Sequence, residues 1–385
     1  MTKATQPLRV LMSACVPRRR EGGVAAIMYG IGEELAVRGH SINYLFLEDF
    51  YDASAGLGRF HEVVFAHRLS RYISEHRRDF SIVNIHAPAG FLYGLRRKWF
   101  GRKDLPPYVM TLHGLEERRV HVQSREVVKG RAWNFALKNR LWHRFYAFPR
   151  FRWSIRTADG AHAYSRDVWN LLQLKYDLDG ETTAYIPNGV AARFFVSRRY
   201  DAQRPLKLLY AGSWLDQRGI FYLRDALVQL AAKLPGITMT FAGCGCPAEE
   251  IREFFGPELT STVKVMPVVP SEEMQNLFAN HDIFLFPSLM EGLPSVLLEA
   301  MASGMPVITT ETCGMPDVVE SDFNGLLIPP ADAFAIEEAV VRLAASPDLR
   351  QKLGREAQET MKRYTWERSA IAMEKLFRRV IADKG

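Results

Sequence analysis

Cysteine is scarce in this chain and carries no pattern. Its four cysteines, Cys15, Cys244, Cys246 and Cys313, fit neither a zinc spacing nor a disulfide framework, so they read as reduced thiols and a cytoplasmic compartment is expected. No apolar run reaches the roughly 18 residues a spanning helix needs. The stretch Leu8–Val16 precedes its basic neighbours Arg18, Arg19 and Arg20, whereas a signal peptide places them first; it reads as a first buried strand. Short repeats and low-complexity tracts are absent. So is any paired base and nucleophile, and no metal cluster is visible.

What is present is a chain of 385 residues, enough for two domains that each bury a core. Its 48% hydrophobic and 24% charged residues are those of a soluble globular protein. The net charge is +7, unevenly placed. Residues Arg118 to Arg156 contain eleven Lys or Arg against one acid, Glu126, so this segment alone makes the protein basic. Trp133, Phe135, Trp142, Phe145, Tyr146, Phe148, Phe151 and Trp153 are interleaved with those cations.

Strand-like and helix-like segments alternate, which predicts an α/β fold of parallel sheets covered by helices. In the first half, strands are expected near Arg9–Ser13, Ile42–Leu47, Ile82–His86, Tyr108–Leu112, Gly160–Ala163 and Ala184–Ile186. A helix is expected over Val24–Arg38, ending at Gly39. After Asn188-Gly189-Val190 the composition turns polar, and residues 191–205 read as a connector between a first domain, 1–190, and a second, 206–363. Strands near Leu206–Ala211, Ile237–Ala242 and Val263–Val265 follow, with helices near Ile220–Lys233 and Ser271–Ala279. Residues 364–385 read as a final apolar-periodic helix, which either crosses back to the first domain or caps the second.

The most informative stretch runs from Ile283 to Thr310. It predicts a buried strand (Ile283–Phe286), a tight loop, a helix stopped by Gly304, and a second strand (Pro306–Thr310). Pro294 suits a first helical turn, where its missing N–H would be unpaired anyway, so the helix is expected to begin just after Glu291. Its free N–H groups at the carboxyl end of a sheet suit a phosphate. Glu299 lies roughly 7 Å along that helix at 1.5 Å per residue, about the distance from a diphosphate to the ribose hydroxyls of the same nucleotide. Glu291, in the loop, falls beside the sugar.

The full string, from Phe286-Pro287-Ser288 through Glu291-Gly292-Leu293-Pro294-Ser295 and Glu299 to Ala300-Met301-Ala302-Ser303-Gly304-Met305-Pro306-Val307-Ile308, resembles the Glu-x7-Glu signature of the GT4 family of glycosyltransferases. The resemblance covers most of the chain. It implies the GT-B fold, two Rossmann-like doubly wound domains facing across a cleft, with 1–190 on the acceptor side and 206–363 binding the donor. It also implies a final helix crossing back to the first domain, transfer with retention of anomeric configuration, and no divalent metal or other cofactor. A nucleotide-sugar donor and a glycan or lipid-linked acceptor are the expected partners.

Other motifs fall into place beside it. Gly212-Ser213 and Arg218-Gly219 occupy the positions of the family's Gly-Arg and Lys-Gly, so one of two usual cations is replaced by Ser213 and Arg218 is expected to hold the diphosphate. Gly22-Gly23, ahead of the first helix, lets backbone N–H groups approach an anion. His113 ends a strand and is followed by Gly114; the resemblance gives it the donor sugar near the reacting carbon, as a catalytic-site residue together with Glu291. His86 ends its own strand similarly but reads as structural or peripheral. Pro187-Asn188-Gly189-Val190 matches a family turn at the end of the first domain. Gly243 and Gly245, in Gly243-Cys244-Gly245-Cys246-Pro247-Ala248, fit a loose dinucleotide pattern, but the next strand lacks the acidic residue that would hold a ribose. In the family this Gly-x-Gly lies near the donor nucleotide. Asp177-Leu178-Asp179 imitates a metal-binding Asp-x-Asp but reads as a turn.

The basic segment 118–156 has three readings. It is an amphipathic surface for anionic membrane, with Arg131, Trp133, Lys138, Arg140, Trp142 and Arg144 as candidates; a single-stranded nucleic-acid surface, the least favoured; or a helix pair packing its aromatics on the sheet. No nucleic-acid partner is expected. The membrane reading would place the protein on the inner face of the cytoplasmic membrane and suits a cell-envelope or exopolysaccharide acceptor. Two other functions compete with transfer: a GT-B sugar-nucleotide epimerase, and a non-catalytic protein that binds sugar nucleotides.

Overall fold

The computed structural model describes residues 6–20, 22–52, 60–101, 104–131, 141–176, 178–198, 200 and 205–383. The chain divides into two compact units. One comprises Met1–Glu117, Ala136–Gly189 and Trp366–Gly385; the other comprises Arg118–Phe135 and Val190–Thr365.

The first unit is built on six parallel strands: β1 (Arg9–Ser13), β2 (Ser41–Leu45), β3 (Ile82–His86), β4 (Tyr108–Leu112), β5 (Gly160–Ala163) and β6 (Thr183–Tyr185). They lie in the order β2-β1-β3-β4-β5-β6. Strands β3 and β4 are buried at all five positions, as parallel strands covered by helices on both faces must be. The order reverses beside β1, and in such sheets ligands bind past the carboxyl ends of the strands at the reversal. Gly22 and Gly23, beyond β1, and His86 and His113, at the ends of β3 and β4, therefore share one end of this sheet.

The second unit repeats the plan with β7 (Lys207–Ala211), β8 (Thr238–Ala242), β9 (Val263–Met266), β10 (Ile283–Phe286), β11 (Val307–Thr310) and β12 (Leu326–Ile328), in the order β12-β11-β10-β7-β8-β9. Its reversal falls at β7, between β8 and β10. The loops carrying Gly212, Ser213 and Arg218, and Glu291 to Ser295, leave the two strands at that point. Strand β12 is too short to show a period and was not expected.

The final helix, Trp366–Ala382, belongs to the first unit and packs on helix Gly23–Val37. A Cβ on Gly30 would meet the Trp366 ring at 2.6 Å, so glycine permits the close crossing. Ser369 Oγ donates to the Pro187 carbonyl at 2.8 Å.

The first unit is not the unbroken span 1–190. Helix Glu116–Val128 carries the chain into the second unit, where Glu126 is buried and accepts from Tyr222 Oη at 2.6 Å and Lys129 Nζ at 3.0 Å. Arg131 pairs with Asp225 at 2.8 Å and lies over the Tyr222 ring. A π-helical turn, His143–Ala147, leads into helix Phe148–Thr157 in the first unit. The segment's charge is also less free than its composition suggests. Arg150 pairs with Glu62 at 2.7 Å and Arg152 with Glu117 at 2.7 Å, acids that lie outside the basic run. No helix among the described residues is long and apolar enough to cross a membrane.

Candidate functional site

In the second unit the loops after β7 and β10 are stitched to each other. Leu289 N–H donates to the Gln217 carbonyl at 2.8 Å, and Ser288 Oγ lies 3.2 Å from the same oxygen. Gly219 closes the short turn Asp216–Arg218 with φ +75°, and a Cβ there would stand 2.0 Å from the Pro287 carbonyl oxygen. Only glycine allows this approach, because the obstacle is backbone and the φ is left-handed.

That stitching brings Arg218 onto Glu291. The guanidinium Nη1 is ion-paired with Oε1 of the carboxylate, which also accepts from Ser288 Oγ at 3.1 Å. Burial raises the Glu291 carboxyl, while Arg218 and the Ser288 hydroxyl pull it down. The guanidinium carbon lies 5.2 Å from the Phe286 ring centroid, and its Nε is buried without a hydrogen-bond partner. Arg218 thus keeps an unused donor beside a countercharge already in place.

The helix after β10 is Ser295–Ala302, shorter and later than the sequence suggested. Pro294 is its N-cap, at φ −70° and ψ 121°, and Gly292 and Leu293 remain in the loop, held by Gly314 N–H donating to the Gly292 carbonyl at 2.9 Å. Pro294 supplies no side-chain cap, and Leu297 N–H turns back to the Pro294 carbonyl at 3.1 Å. The other end is anchored: Gln358 Nε2 donates to the Ala302 carbonyl at 2.8 Å and Tyr200 Oη to the Gly304 carbonyl at 2.7 Å. Glu299 is partly buried on this helix. Burial pushes its carboxyl up to about 7, against the opposing pull of Arg193.

Ser213 is exposed just past β7, its carbonyl accepting from Tyr210 Oη at 3.0 Å. Gly243 and Gly245 do not offer amides to a ligand. Their N–H groups donate to the Met266 and Pro267 carbonyls, each at 2.9 Å, and tie the β8 loop to the end of β9. What they contribute is positive φ with open space where a Cβ would be.

In the first unit Gly22 and Gly23 start helix Gly23–Val37 with φ +68° and +69°, again with open space and no side-chain cap. His113 is not an isolated ring. Its Nε2 lies 2.6 Å from His86 Nδ1, its ring rests against Tyr164 with centroids 4.8 Å apart, and Tyr164 packs on His162 at 4.3 Å. Burial depresses His113 to about 3 and His162 to about 4, so these rings are neutral at physiological pH.

Among the described residues, no three His, Cys, Asp or Glu side chains are grouped to hold a metal ion. Asp179 builds a turn: its Oδ1 accepts from Glu181 N–H at 2.9 Å, while Asp177 lies outside the described residues. Of the membrane candidates, Trp133, Lys138 and Arg140 also lie outside them. Arg131 is committed to Asp225 and Tyr222, Trp142 packs on Tyr146 and Phe60, and Arg144 is exposed. Sequence reasoning missed Arg193, the bond from Ser288 to Glu291 and the His86 contact, and it placed Gly219 at a helix start without the Pro287 carbonyl that requires a glycine there.

Residues 21–194 match the family model described as Glycosyltransferase Family 4, and residues 197–360 the model described as Glycosyl transferases group 1. The chain belongs to this family of group 1 glycosyltransferases. It is 30% identical over 159 residues to the amylovoran biosynthesis glycosyltransferase AmsK of Erwinia amylovora, a match covering 40% of this chain and 39% of the relative. The fold is GT-B. Sucrose-phosphate synthase from Thermosynechococcus elongatus superimposes with a TM-score of 0.78 at 20% identity, over 97% of this chain and 100% of that one. Anabaena Alr3699/HepE, solved in complex with UDP-glucose, gives 0.68 at 15% identity over 95% and 98%.

Proposed function

We propose that this protein transfers a sugar from a nucleoside diphosphate to a glycan or lipid-linked acceptor, in the assembly of an envelope or extracellular polysaccharide. The observation that carries the reading is the grouping of Arg218, Ser288, Glu291 and the start of helix Ser295–Ala302 at the topological switch of the second unit, with Glu299 further along the same helix. Support comes from the family, from a relative named for amylovoran biosynthesis, and from a neighbour of the same fold solved with UDP-glucose.

In this reading Arg218 and the helix amides take the diphosphate, and Glu299 accepts from the ribose hydroxyls. Glu291 and His113 contact the sugar, and Gly22 and Gly23 lend backbone amides. As the sugar–oxygen bond breaks, negative charge gathers on the leaving diphosphate, and donors preorganised toward that charge lower the barrier. In this reading the Glu291 carboxylate, bonded to Arg218 and Ser288, orients the sugar and is not a nucleophile. Retention and independence of a divalent metal belong to the same proposal.

The test is product analysis with purified protein, a panel of nucleotide-sugars and a lipid-linked acceptor extract. Transfer with the donor's anomeric configuration kept, undiminished by a chelator, is the expected result. Isomerised nucleotide-sugar formed without acceptor would favour an epimerase instead. Donor binding with neither product would leave a sugar-nucleotide-binding protein.

A further inference from the structure

We propose that His86 is a positioning residue, donating from Nδ1 to His113 Nε2 and so fixing His113 as the tautomer that carries its proton on Nδ1. The inference rests on the reading that gives His113 a contact with the donor sugar. It concerns which hydrogen-bonding face that ring presents.

The two nitrogens are 2.6 Å apart, so one proton lies between them. Burial keeps both rings neutral, hence one nitrogen donates and the other accepts. The remaining nitrogen of His86 decides which. His86 Nε2 is buried with no hydrogen-bond partner. Were His113 the donor, neutral His86 would carry its own proton on Nε2, leaving a buried N–H orphaned, a class native proteins largely avoid. With His86 donating, Nε2 is a bare lone pair and the only N–H of that ring is used.

The surroundings hold this arrangement in place. His113 is sandwiched between His86 and Tyr164, with both centroid separations 4.8 Å, so ring rotation would break two aromatic contacts. His162 does not compete: its Nε2 donates to the Ile186 carbonyl at 2.8 Å, and its Nδ1 lies 3.3 Å from Thr111 Oγ1. His113 is left with Nδ1–H as its remaining polar group, a donor suited to a sugar hydroxyl oxygen and unsuited to removing a proton.

Long-range proton–nitrogen spectra of the ligand-free full chain, labelled at histidine, test this without any donor substrate. The expected result is a protonated Nδ1 and a bare Nε2 on His113 in the wild type. His86→Asn, whose amide N–H can take the place of Nδ1–H, should keep that tautomer, while His86→Asp should draw the proton to Nε2. A protonated Nε2 in the wild type, or a His113 tautomer unchanged in His86→Asp, overturns the proposal; the wild-type spectrum decides even if a variant fails to fold. In transfer assays His86→Asn should retain turnover, and His86→Asp should lose about a hundredfold, the scale of one removed donor. Full transfer by His113→Ala would sink the substrate contact of His113, yet leave the tautomer result standing.

Discussion

Arg218 and Glu291, from two loops distant in sequence, form an ion pair at the end of β10, with Ser288 bonded to the same carboxylate oxygen. The one cation that the sequence offers for a diphosphate is therefore partnered before any ligand arrives. A partnered arginine is held in position, and its unused Nε keeps donor capacity in reserve. The replacement of a second family cation by Ser213 makes this preorganisation matter more.

Arg218→Ala should lower turnover by about a hundredfold or more, since a donor to the leaving diphosphate is lost. It should also destabilise the fold by about 3 kcal/mol, because Glu291 stays buried without its countercharge. Adding Glu291→Gln should return most of that stability and none of the turnover. Urea titration and steady-state assays on the wild type and the two variants measure both effects. Full activity in Arg218→Ala would count against the assignment of the diphosphate.

In the proposed donor site Glu299 sets a pH dependence for nucleotide binding. Gripping a ribose diol as an acceptor at both oxygens requires the carboxylate, and burial holds this carboxyl at about 7. Affinity for the nucleoside diphosphate should therefore rise as pH climbs through about 7, and Arg193→Ala, which removes the opposing cation, should move that rise to higher pH. Stability moves the other way. Between the ordinary value of 4.5 and about 7 the folded chain keeps a proton that the unfolded chain has released, so stability falls across that window as pH rises and then levels off. Glu299→Gln should raise the melting temperature at neutral pH while weakening nucleoside-diphosphate binding, a pair of changes that calorimetry and thermal melts can read together.

The sheets and most helices were legible because apolar runs bounded by glycine or proline mark buried strands locally. Strands β1, β3, β4, β5 and β10 begin and end where the pattern places them. The strand–loop–helix around Glu291 was legible for the same reason, but its helix start was not. Pro294 fits both a first turn and an extended cap, and the extended form prevailed here. Contacts between distant segments leave no local trace. Arg218 on Glu291, His86 on His113, and the Glu62, Glu117 and Asp225 carboxylates that balance the basic segment are all of this kind. Gly219 shows the boundary: a glycine before a helix is visible, whereas the Pro287 carbonyl that demands it is not.

The attachment of the last helix to the first unit has its own signature in pH. Burial works to raise the Glu374 carboxyl, but bonds from Arg38, Arg378 and His40 outweigh it and hold the group at about 2. A carboxyl depressed in the folded state contributes stability above its ordinary value of 4.5, and that contribution fades as pH falls toward about 2. Glu374→Gln should cost about 1 kcal/mol at neutral pH, a figure already reduced for screening of the partly exposed arginines. Melting curves of variant and wild type should converge on acidification. A gap unchanged below pH 4.5 would show that packing of the helix, and not the charge cluster, holds it.

A membrane-facing role for the first unit reduces to fewer residues than the basic segment contains. Phe145 is 72% exposed, Trp99 72% and Leu141 49%, with Arg144 exposed beside Phe145 and Lys98 set 5.7 Å from the Trp153 ring. Exposed aromatic and aliphatic side chains flanked by cations suit the boundary of an anionic bilayer, where each cation is worth about 1 kcal/mol. Arg150 and Arg152 contribute little because Glu62 and Glu117 already neutralise them. The full chain should co-sediment with anionic vesicles at low salt and be released as salt shortens the screening length. Arg144→Glu with Phe145→Ser should cut binding by about tenfold or more while leaving transfer to a short soluble acceptor unchanged, since neither residue belongs to the proposed donor machinery. Vesicle binding absent at low salt would leave the aromatics as a surface for another purpose. Binding that survives the double substitution would move the contact elsewhere on the protein.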